Sequence, residues 1–348
     1  MARIIYGVSG QGFGHATRSK EVINHLKKQG HQVLVLSYGQ ALIFLAHEPN
    51  IEVYEVPGLV LKYRRNKLVY WQTVYLNVIQ LFRQSAKWRA LLARAKQFAP
   101  DLVIADFEPL SALLAKSLKK PLISLDNQHQ LTNTKIEIPL YQRQNLLANK
   151  VIIRSLVRRA DHYLVTTFFP TPLTNRHTDL VPAIIRQAVI DLQPKHGNYF
   201  LVYQTTGGDA ISNVLKKFPQ YHFIFYGLDR QATVGNIIYK KTSQDGFLQD
   251  LAGCQAVIGS AGLSLISESL YLGKPYLALP IDRQIEQVVN AIYLVKLGYG
   301  SMAKKLTSKA LKNFVENLTT YDQNLEHYPR SGNEIVFKKL DQLIEELN

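Results

Sequence analysis

The chain has 348 residues, room for two domains of ordinary size, and its 47% hydrophobic against 19% charged residues describe a folded globular protein rather than a disordered one. A single cysteine, Cys254, excludes an intramolecular disulfide framework and any multi-cysteine metal site. The net charge of +15 is uneven: residues 1–180 hold 24 Lys+Arg against 11 Asp+Glu, and residues 181–348 hold 17 against 15, so an anionic partner is expected at the first half.

Residues 4–8 are predicted as a strand, followed by a glycine loop and a helix over 16–28 that ends at Gly30. No secretory signal and no apolar stretch of the ~18 residues that a spanning helix needs are evident, so a reducing, cytoplasmic location is expected. Strands follow at 33–37 and 51–56, then near-continuous apolar runs at 102–105 and 122–125, which suit a parallel sheet covered on both faces. A strand at 162–166 is expected to close the first unit. Residues 170–198, with Pro170, Pro172, Pro182 and Pro194, read as the linker. The pattern restarts with strands at 199–204, 222–226, 256–258 and 276–279. Two doubly wound α/β domains follow, 1–180 and 181–348, with the last helix free to pack back on the first.

Gly7, Gly10, Gly12 and Gly14 lie between the first strand and helix, where glycines let a ligand approach the backbone and the helix N-terminus favours negative charge. The acidic residue of a dinucleotide fingerprint is missing from the second strand. His15 begins the helix and reads either as a structural N-terminal histidine or as a general base on a hydroxyl. Asp106 ends an apolar strand and reads either as the N-cap of the next helix or as the group that orients His15.

A second motif runs from Gly259 through Ser260, Ala261, Gly262, Ser264, Glu268 and Gly273 to Pro275, then Pro280, Glu286, Gln287 and Asn290. Small residues at a helix start offer N–H groups and hydroxyls to a diphosphate. Glu268, inside that helix, suits the two hydroxyls of a ribose. Glu286 and Gln287 suit sugar hydroxyls.

The segment 259–300 resembles the donor-binding signature of GT-B glycosyltransferases, above all the bacterial transferase that adds N-acetylglucosamine to the peptidoglycan lipid intermediate and its uncharacterised relatives. The glycine loop with His15, the strand 101–106, Asn127 with His129, Arg186, and the turn at Thr206, Gly207 and Gly208 fall in the same order, so the resemblance spans nearly the whole chain. It implies two Rossmann-like domains facing a central crevice, acceptor on the first and donor on the second. It also implies that Arg186, Thr206 and Gly207 meet the donor diphosphate, Phe247 lies by the uracil, Ser260 to Ser264 present N–H groups to phosphate, Glu268 binds ribose, and Gln287 binds the sugar. His15 and Asp106 match the catalytic pair of plant-type and antibiotic-modifying members, Asn127 matches an active-site amide, and Gly12, Gly14 and His129 belong to the acceptor-side loops. Ser260 stands where plant-type members carry a phosphate-binding histidine, so that contact is expected from a hydroxyl or the backbone.

No Asp-X-Asp triplet occurs in the chain. Helix dipoles and Arg186, rather than a metal ion, are therefore expected to stabilise the leaving group. Residues 56–100 contain no acid. There Lys62, Arg64, Arg65 and Lys67 precede Trp71, Val74, Tyr75, Val78, Ile79 and Phe82 at helical spacing, and Arg83, Lys87, Arg89, Arg94 and Lys96 follow. The stretch is either an amphipathic helix docked on its own sheet or an interfacial surface for anionic lipid at the inner face of the cell membrane, which the basic helix at 141–159 extends. Nucleic acid is not expected, since no recognised module is present. The expected activity is inverting, metal-independent transfer from a UDP-sugar, UDP-N-acetylglucosamine on family grounds, to a hydroxyl of a lipid-linked or cell-envelope glycan. A UDP-sugar 2-epimerase of the same fold, and a non-catalytic donor-binding or membrane-docking subunit, are the alternatives.

Overall fold

Apolar runs each followed by a helical stretch form parallel strands when helices can cover both faces. The computed structural model describes the chain apart from Gln11, residues 59–62, 65–66 and 69–84, Arg158, Thr206, Thr242, Asp282 and Arg283. It divides into two compact units: Met1–Ile136 with Tyr141–Ile184 and Asn333–Asn348, and Glu137–Leu140 with Ile185–Gly332.

In chain order the first unit contains β1 (Arg3–Val8), α1 (Phe13–Lys28), β2 (Gln32–Ser37), α2 (Gly39–Ala46), β3 (Val53–Glu55), β4 (Tyr63–Arg64), β5 (Lys67–Leu68), α3 (Ser85–Phe98), β6 (Leu102–Asp106), α4 (Pro109–Leu118), β7 (Leu122–Asp126), α5 (Gln130–Asn133), α6 (Arg143–Leu156), β8 (His162–Thr167) and β9 (Thr178–Pro182). Among the described residues its main sheet has the order β3-β2-β1-β6-β7-β8-β9, all neighbours parallel. Side chains alternate across it. Ile4, Tyr6, Val8, Leu102 and Ile104 join the core beside α1, whereas Ile5, Val103 and Ala105 join the core under α3 and α4.

The sheet does not end at the strand predicted over 162–166. β9 extends it, inside the stretch read as linker, because a half-buried edge strand that stops at Pro182 carries no continuous apolar run. The described part of the acid-free stretch lies on its own unit. In α3, Leu91 and Ala95 are buried, with Trp88, Leu92 and Phe98 packed against the same core, and Lys87, Arg89 and Lys96 face outward. Arg64 and Lys67 belong to the antiparallel β4–β5 pair. Lys62, Arg65, Trp71, Val74, Tyr75, Val78, Ile79, Phe82 and Arg83 lie outside the described residues. On α6 only Leu146 and Ile153 are buried, and Leu147 and Val151 are exposed. Among the described residues no helix is long and apolar enough to cross a membrane.

The second unit contains α7 (Gln187–Ile190), β10 (Tyr199–Tyr203), α8 (Gly208–Leu215), β11 (His222–Tyr226), β12 (Ala232–Val234), β13 (Ile237–Tyr239), α9 (Gln244–Gly253), β14 (Ala256–Gly259), α10 (Leu263–Tyr271), β15 (Tyr276–Ala278), α11 (Ile285–Lys296), β16 (Gly300–Met302), α12 (Ser308–Glu316) and α13 (Leu318–Glu326). Its sheet runs β12-β13-β11-β10-β14-β15-β16, parallel except for β12–β13. Phe200, Val202, Phe223, Phe225 and Ile258 pack there against Ile211, Leu215, Leu311 and Phe314. The chain then returns to the first unit as α14 (Glu334–Leu347), which buries Val336, Leu340, Leu343 and Ile344 in the core that holds Ile4 and Tyr6.

Candidate active site

In the first unit β1 and β6 are adjacent and in register, with Val8 opposite Asp106, so both chains end at the same edge of the sheet. The tight turn after β1 needs small residues. A side chain at Gly7 would meet Ser111 Oγ at 2.1 Å, and Gly12 adopts φ 80° as it caps α1. His15 therefore sits in the first turn of α1, with Gly14 beside it, and its Nδ1 lies 2.8 Å from Asp106 Oδ1.

Asp106 is completely buried, and α1 supplies most of its partners. Arg18 Nε donates to Asp106 Oδ2 at 2.8 Å, Arg18 Nη2 donates to Oδ1, and Ser19 Oγ donates to Oδ2 at 2.9 Å. Arg18 Nη1 reaches Asn127 Oδ1 at 2.9 Å. Burial alone would raise the Asp106 pKa, but the charges and hydrogen bonds of Arg18 and His15 outweigh it and hold the carboxyl well below the usual carboxylate range. Arg18 Nη2 also lies 2.8 Å from His15 Nδ1. Both nitrogens serve Oδ1, so we read that distance as the side of a triangle rather than as a bond between two donors. The proton is then on Nδ1, and His15 Nε2 faces Gln128 Nε2 at 3.3 Å as an acceptor. An aspartate that fixes this tautomer leaves Nε2 free to take a proton.

Asp106 does not cap the helix that follows it. Glu108 caps α4, accepting from Leu110 N–H at 3.0 Å and Ser111 N–H at 2.6 Å. It is fully buried, and that burial pushes its pKa up to about 7 despite the hydrogen bonds. His129 has its own aspartate. Its Nδ1 lies 2.7 Å from Asp126 Oδ2, and its backbone N–H donates to Asp126 Oδ1 at 2.9 Å. Burial opposes ionisation of Asp126, but the charge and hydrogen bonds of His129, with Ser124, lower its pKa overall.

In the second unit β10, β14 and β15 lie side by side, Tyr203 opposite Gly259 and Gly259 opposite Ala278, so the loops that follow them share one edge. The loop 260–262 is pinned through its carbonyls. Tyr276 Oη donates to Ser260 O at 2.6 Å and Asn290 Nδ2 to Ala261 O at 3.0 Å. Gly262 caps α10 with no side-chain hydrogen bond, and Ser264 is half-buried in the first turn. Gly207 caps α8 at φ 72°, while Thr206 lies outside the described residues. Phe247 packs edge-on against Tyr203 and Tyr226, with centroids 5.5 and 5.2 Å away.

Arg186 and Glu268, expected on diphosphate and ribose respectively, meet each other. Arg186 Nε and Nη2 donate to the two Glu268 oxygens at 2.6 Å each. A carboxylate oxygen has two lone pairs, so Glu268 keeps acceptor capacity beyond this fork. Gln287, expected on the sugar, has its amide engaged within its own loop, accepting from Ile281 N–H at 3.0 Å and donating to Gln284 Oε1 at 2.7 Å. Glu286 is half-buried beside it in the first turn of α11.

Sequence reasoning missed Arg18, Ser19 and Gln128. The available signal was Arg18 itself, three residues from His15 and on the helix face that carries Val22 and Leu26. A cation on a buried face requires a carboxylate.

A family model described as Glycosyl transferase family 1 matches residues 2–319. An uncharacterized glycosyltransferase of Methanosarcina acetivorans is 22% identical over 348 residues, covering 88% of this chain and 84% of its own. Among solved structures, Phytolacca americana UGT2, complexed with UDP-2fluoro-glucose and pterostilbene, gives a TM-score of 0.70 at 14% identity over 98% of this chain and 99% of its own. MurG of Acinetobacter baumannii gives 0.62 at 15% identity, over 99% and 100%. Such identities establish the two-sheet GT-B fold alone, and they do not single out the peptidoglycan enzyme from its neighbours. With the family model covering most of its length, the chain belongs to Glycosyl transferase family 1 and is a glycosyltransferase.

Proposed function

We propose that this glycosyltransferase moves a sugar from a UDP-sugar to a hydroxyl of a lipid-linked or cell-envelope glycan, with inversion and without a metal ion. The observation that carries the reading is the 2.8 Å contact of His15 Nδ1 with Asp106, which leaves Nε2 as the acceptor. His15 Nε2 takes the acceptor's hydroxyl proton as that oxygen bonds to the anomeric carbon, and the bond from that carbon to the diphosphate oxygen breaks with its electron pair leaving on UDP. Asp106, kept ionised, stabilises the imidazolium that forms.

On the donor side, Glu268 binds the ribose hydroxyls while Arg186 fixes its orientation, and the first-turn amides of α10 face the diphosphate. Phe247 lies by the base, Gly207 by the phosphates, and Glu286 by the sugar. Uridine is favoured because the plant transferase of this fold holds a UDP-sugar. UDP-N-acetylglucosamine is the first donor to try. The exposed Leu147 and Val151 of α6, flanked by Arg143, Lys150 and Arg154, suit contact with an anionic membrane that presents the acceptor.

Mass spectrometry of products from a panel of UDP-sugars, a membrane-lipid extract and excess EDTA tests the reading. A glycosylated lipid formed in EDTA is expected. Turnover only after Mg²⁺ or Mn²⁺ is restored would remove the metal-independent mechanism. Conversion of the UDP-sugar with no acceptor would replace transfer by 2-epimerisation. In a separate test, Glu268→Ala should weaken UDP binding by about 1.5–3 kcal/mol in calorimetry, the range for charged hydrogen bonds, and equal affinity would take Glu268 out of the site.

A further inference from the structure

The transfer step proposed above makes no use of the His129–Asp126 pair, and the geometry of that pair leaves something unexplained. His129 is only 2% exposed, and with Nδ1 turned to Asp126 its other ring nitrogen, Nε2, has no hydrogen-bond partner among the described residues. Leaving a buried polar atom without a partner is costly, which points to a ligand.

His129 lines a cavity of about 1180 Å³ within the first unit. Lys116, Lys119, Lys120, Arg154, Arg159 and Arg176 line it as well, against the single carboxylate of Asp161. That carboxylate already accepts from Leu122 N–H at 2.8 Å. None of the six cations makes a salt bridge among the described residues. Six like charges around one concavity repel each other unless an anion sits among them.

The cavity is lined at one end by His129, whose neighbour Gln128 meets His15, and extends away from that cluster. Leu122 begins β7, Asp161 immediately precedes β8 and His177 immediately precedes β9, so the cavity reaches the amino ends of these parallel strands. His15 and Asp106 lie at the carboxyl ends.

We propose that this cavity binds a phosphoryl or pyrophosphoryl group, with Lys119, Arg154 and Arg159 at its mouth and His129 Nε2 at its inner wall. Phosphate oxygens fit because they take several charge-assisted hydrogen bonds at once and can share a proton with an imidazole. Asp126 acts as the positioning residue: it holds Nδ1 and so leaves Nε2 as the ring nitrogen open to a ligand.

The test is a titration of ¹⁵N-labelled protein with inorganic pyrophosphate, read at the His129 imidazole nitrogens and assigned with His129→Gln. A double variant at Lys119 and Arg154 separates this cavity from diphosphate bound elsewhere. Saturable movement of the Nε2 resonance is expected, with affinity lower by about tenfold or more in the Lys119→Glu/Arg154→Glu double variant. Both substituted positions are exposed, so the fold should be retained, and circular dichroism checks this. A parallel arm uses phosphatidylcholine vesicles with and without phosphatidate. Saturation by pyrophosphate with no vesicle binding supports a soluble ligand. Co-sedimentation with phosphatidate vesicles that pyrophosphate competes away and the double variant loses supports a lipid headgroup. A His129 resonance unmoved in both arms, or equal affinity in the double variant, overturns the proposal.

Discussion

His15 and His129 each turn Nδ1 toward a buried aspartate at the carboxyl end of a strand, at 2.8 and 2.7 Å. The two pairs differ in how they are made. His129 is three residues from Asp126, so a single tight turn closes the pair, and the ring lies under Phe107 and Tyr163. His15 and Asp106 are 91 residues apart, and Arg18 and Ser19 hold the aspartate in place for a ring that keeps part of its surface exposed. A His–Asp pair alone therefore says little about catalysis. What distinguishes a base is an anchored aspartate together with an Nε2 that a hydroxyl can reach.

The largest expected effect would break the comparison outright. His15→Ala should lower turnover by roughly 10²–10⁴, the usual contribution of a general base, while His129→Ala should stay within about threefold, less than 1 kcal/mol of barrier. Initial rates of both variants with a soluble acceptor decide it. Similar losses in both would mean that the two pairs act together.

Next comes the anchor. Arg18→Met leaves Asp106 and Asn127 without their cation, and removing one partner of a buried pair costs about 3–5 kcal/mol. Urea denaturation should show a loss of that size. A loss below about 1 kcal/mol would place Arg18 outside the anchoring of Asp106.

The smallest effect concerns Glu108, a buried carboxylate two residues from Asp106 with N–H donors but, among the described residues, no cation in a salt bridge with it. Its folded pKa is raised from 4.5 to about 7, so its stabilising contribution is complete below 4.5 and is lost as pH rises through 7. The loss is on the order of 3 kcal/mol. Glu108→Gln should abolish this slope, so the difference in urea midpoint between wild type and variant should shift across pH 4.5 to 7 and level off above. A pH-independent difference would refute the raised pKa.

The parts of this architecture that were legible in the sequence are those whose signal is local. β1, the glycine turn and α1 follow from an apolar run, a cluster of glycines and a helical period within some 25 residues, and β11 coincides with its predicted range. β9, β12 and β16 were not legible, because three to five residues at a sheet edge carry no continuous apolar run, and β13, though apolar, is only three residues long. The site divides in the same way. His15 and Glu268 could be picked out because their neighbours in the sequence form motifs. Arg18 could not, since it looks like any helix cation until the fold brings Asp106, 88 residues away, to its guanidinium. The Arg186–Glu268 fork stayed hidden for the same reason, with 82 residues between its partners.

The placement of α14 bears on how the protein is made. A ribosome that has finished β9 has supplied every strand of the first sheet, yet Val336, Leu340, Leu343 and Ile344 emerge only after the entire second unit. Until then the core beside β9 and α1 lacks part of its cover, and the four missing side chains are worth about 1.5–3 kcal/mol each. The unit that begins first is thus completed last, while the second can reach its final form from one uninterrupted run of chain apart from residues 137–140. A nascent chain halted at Gly332 would be a folded second unit tethered to an unfinished first one, prone to stick to its neighbours until sixteen more residues arrive.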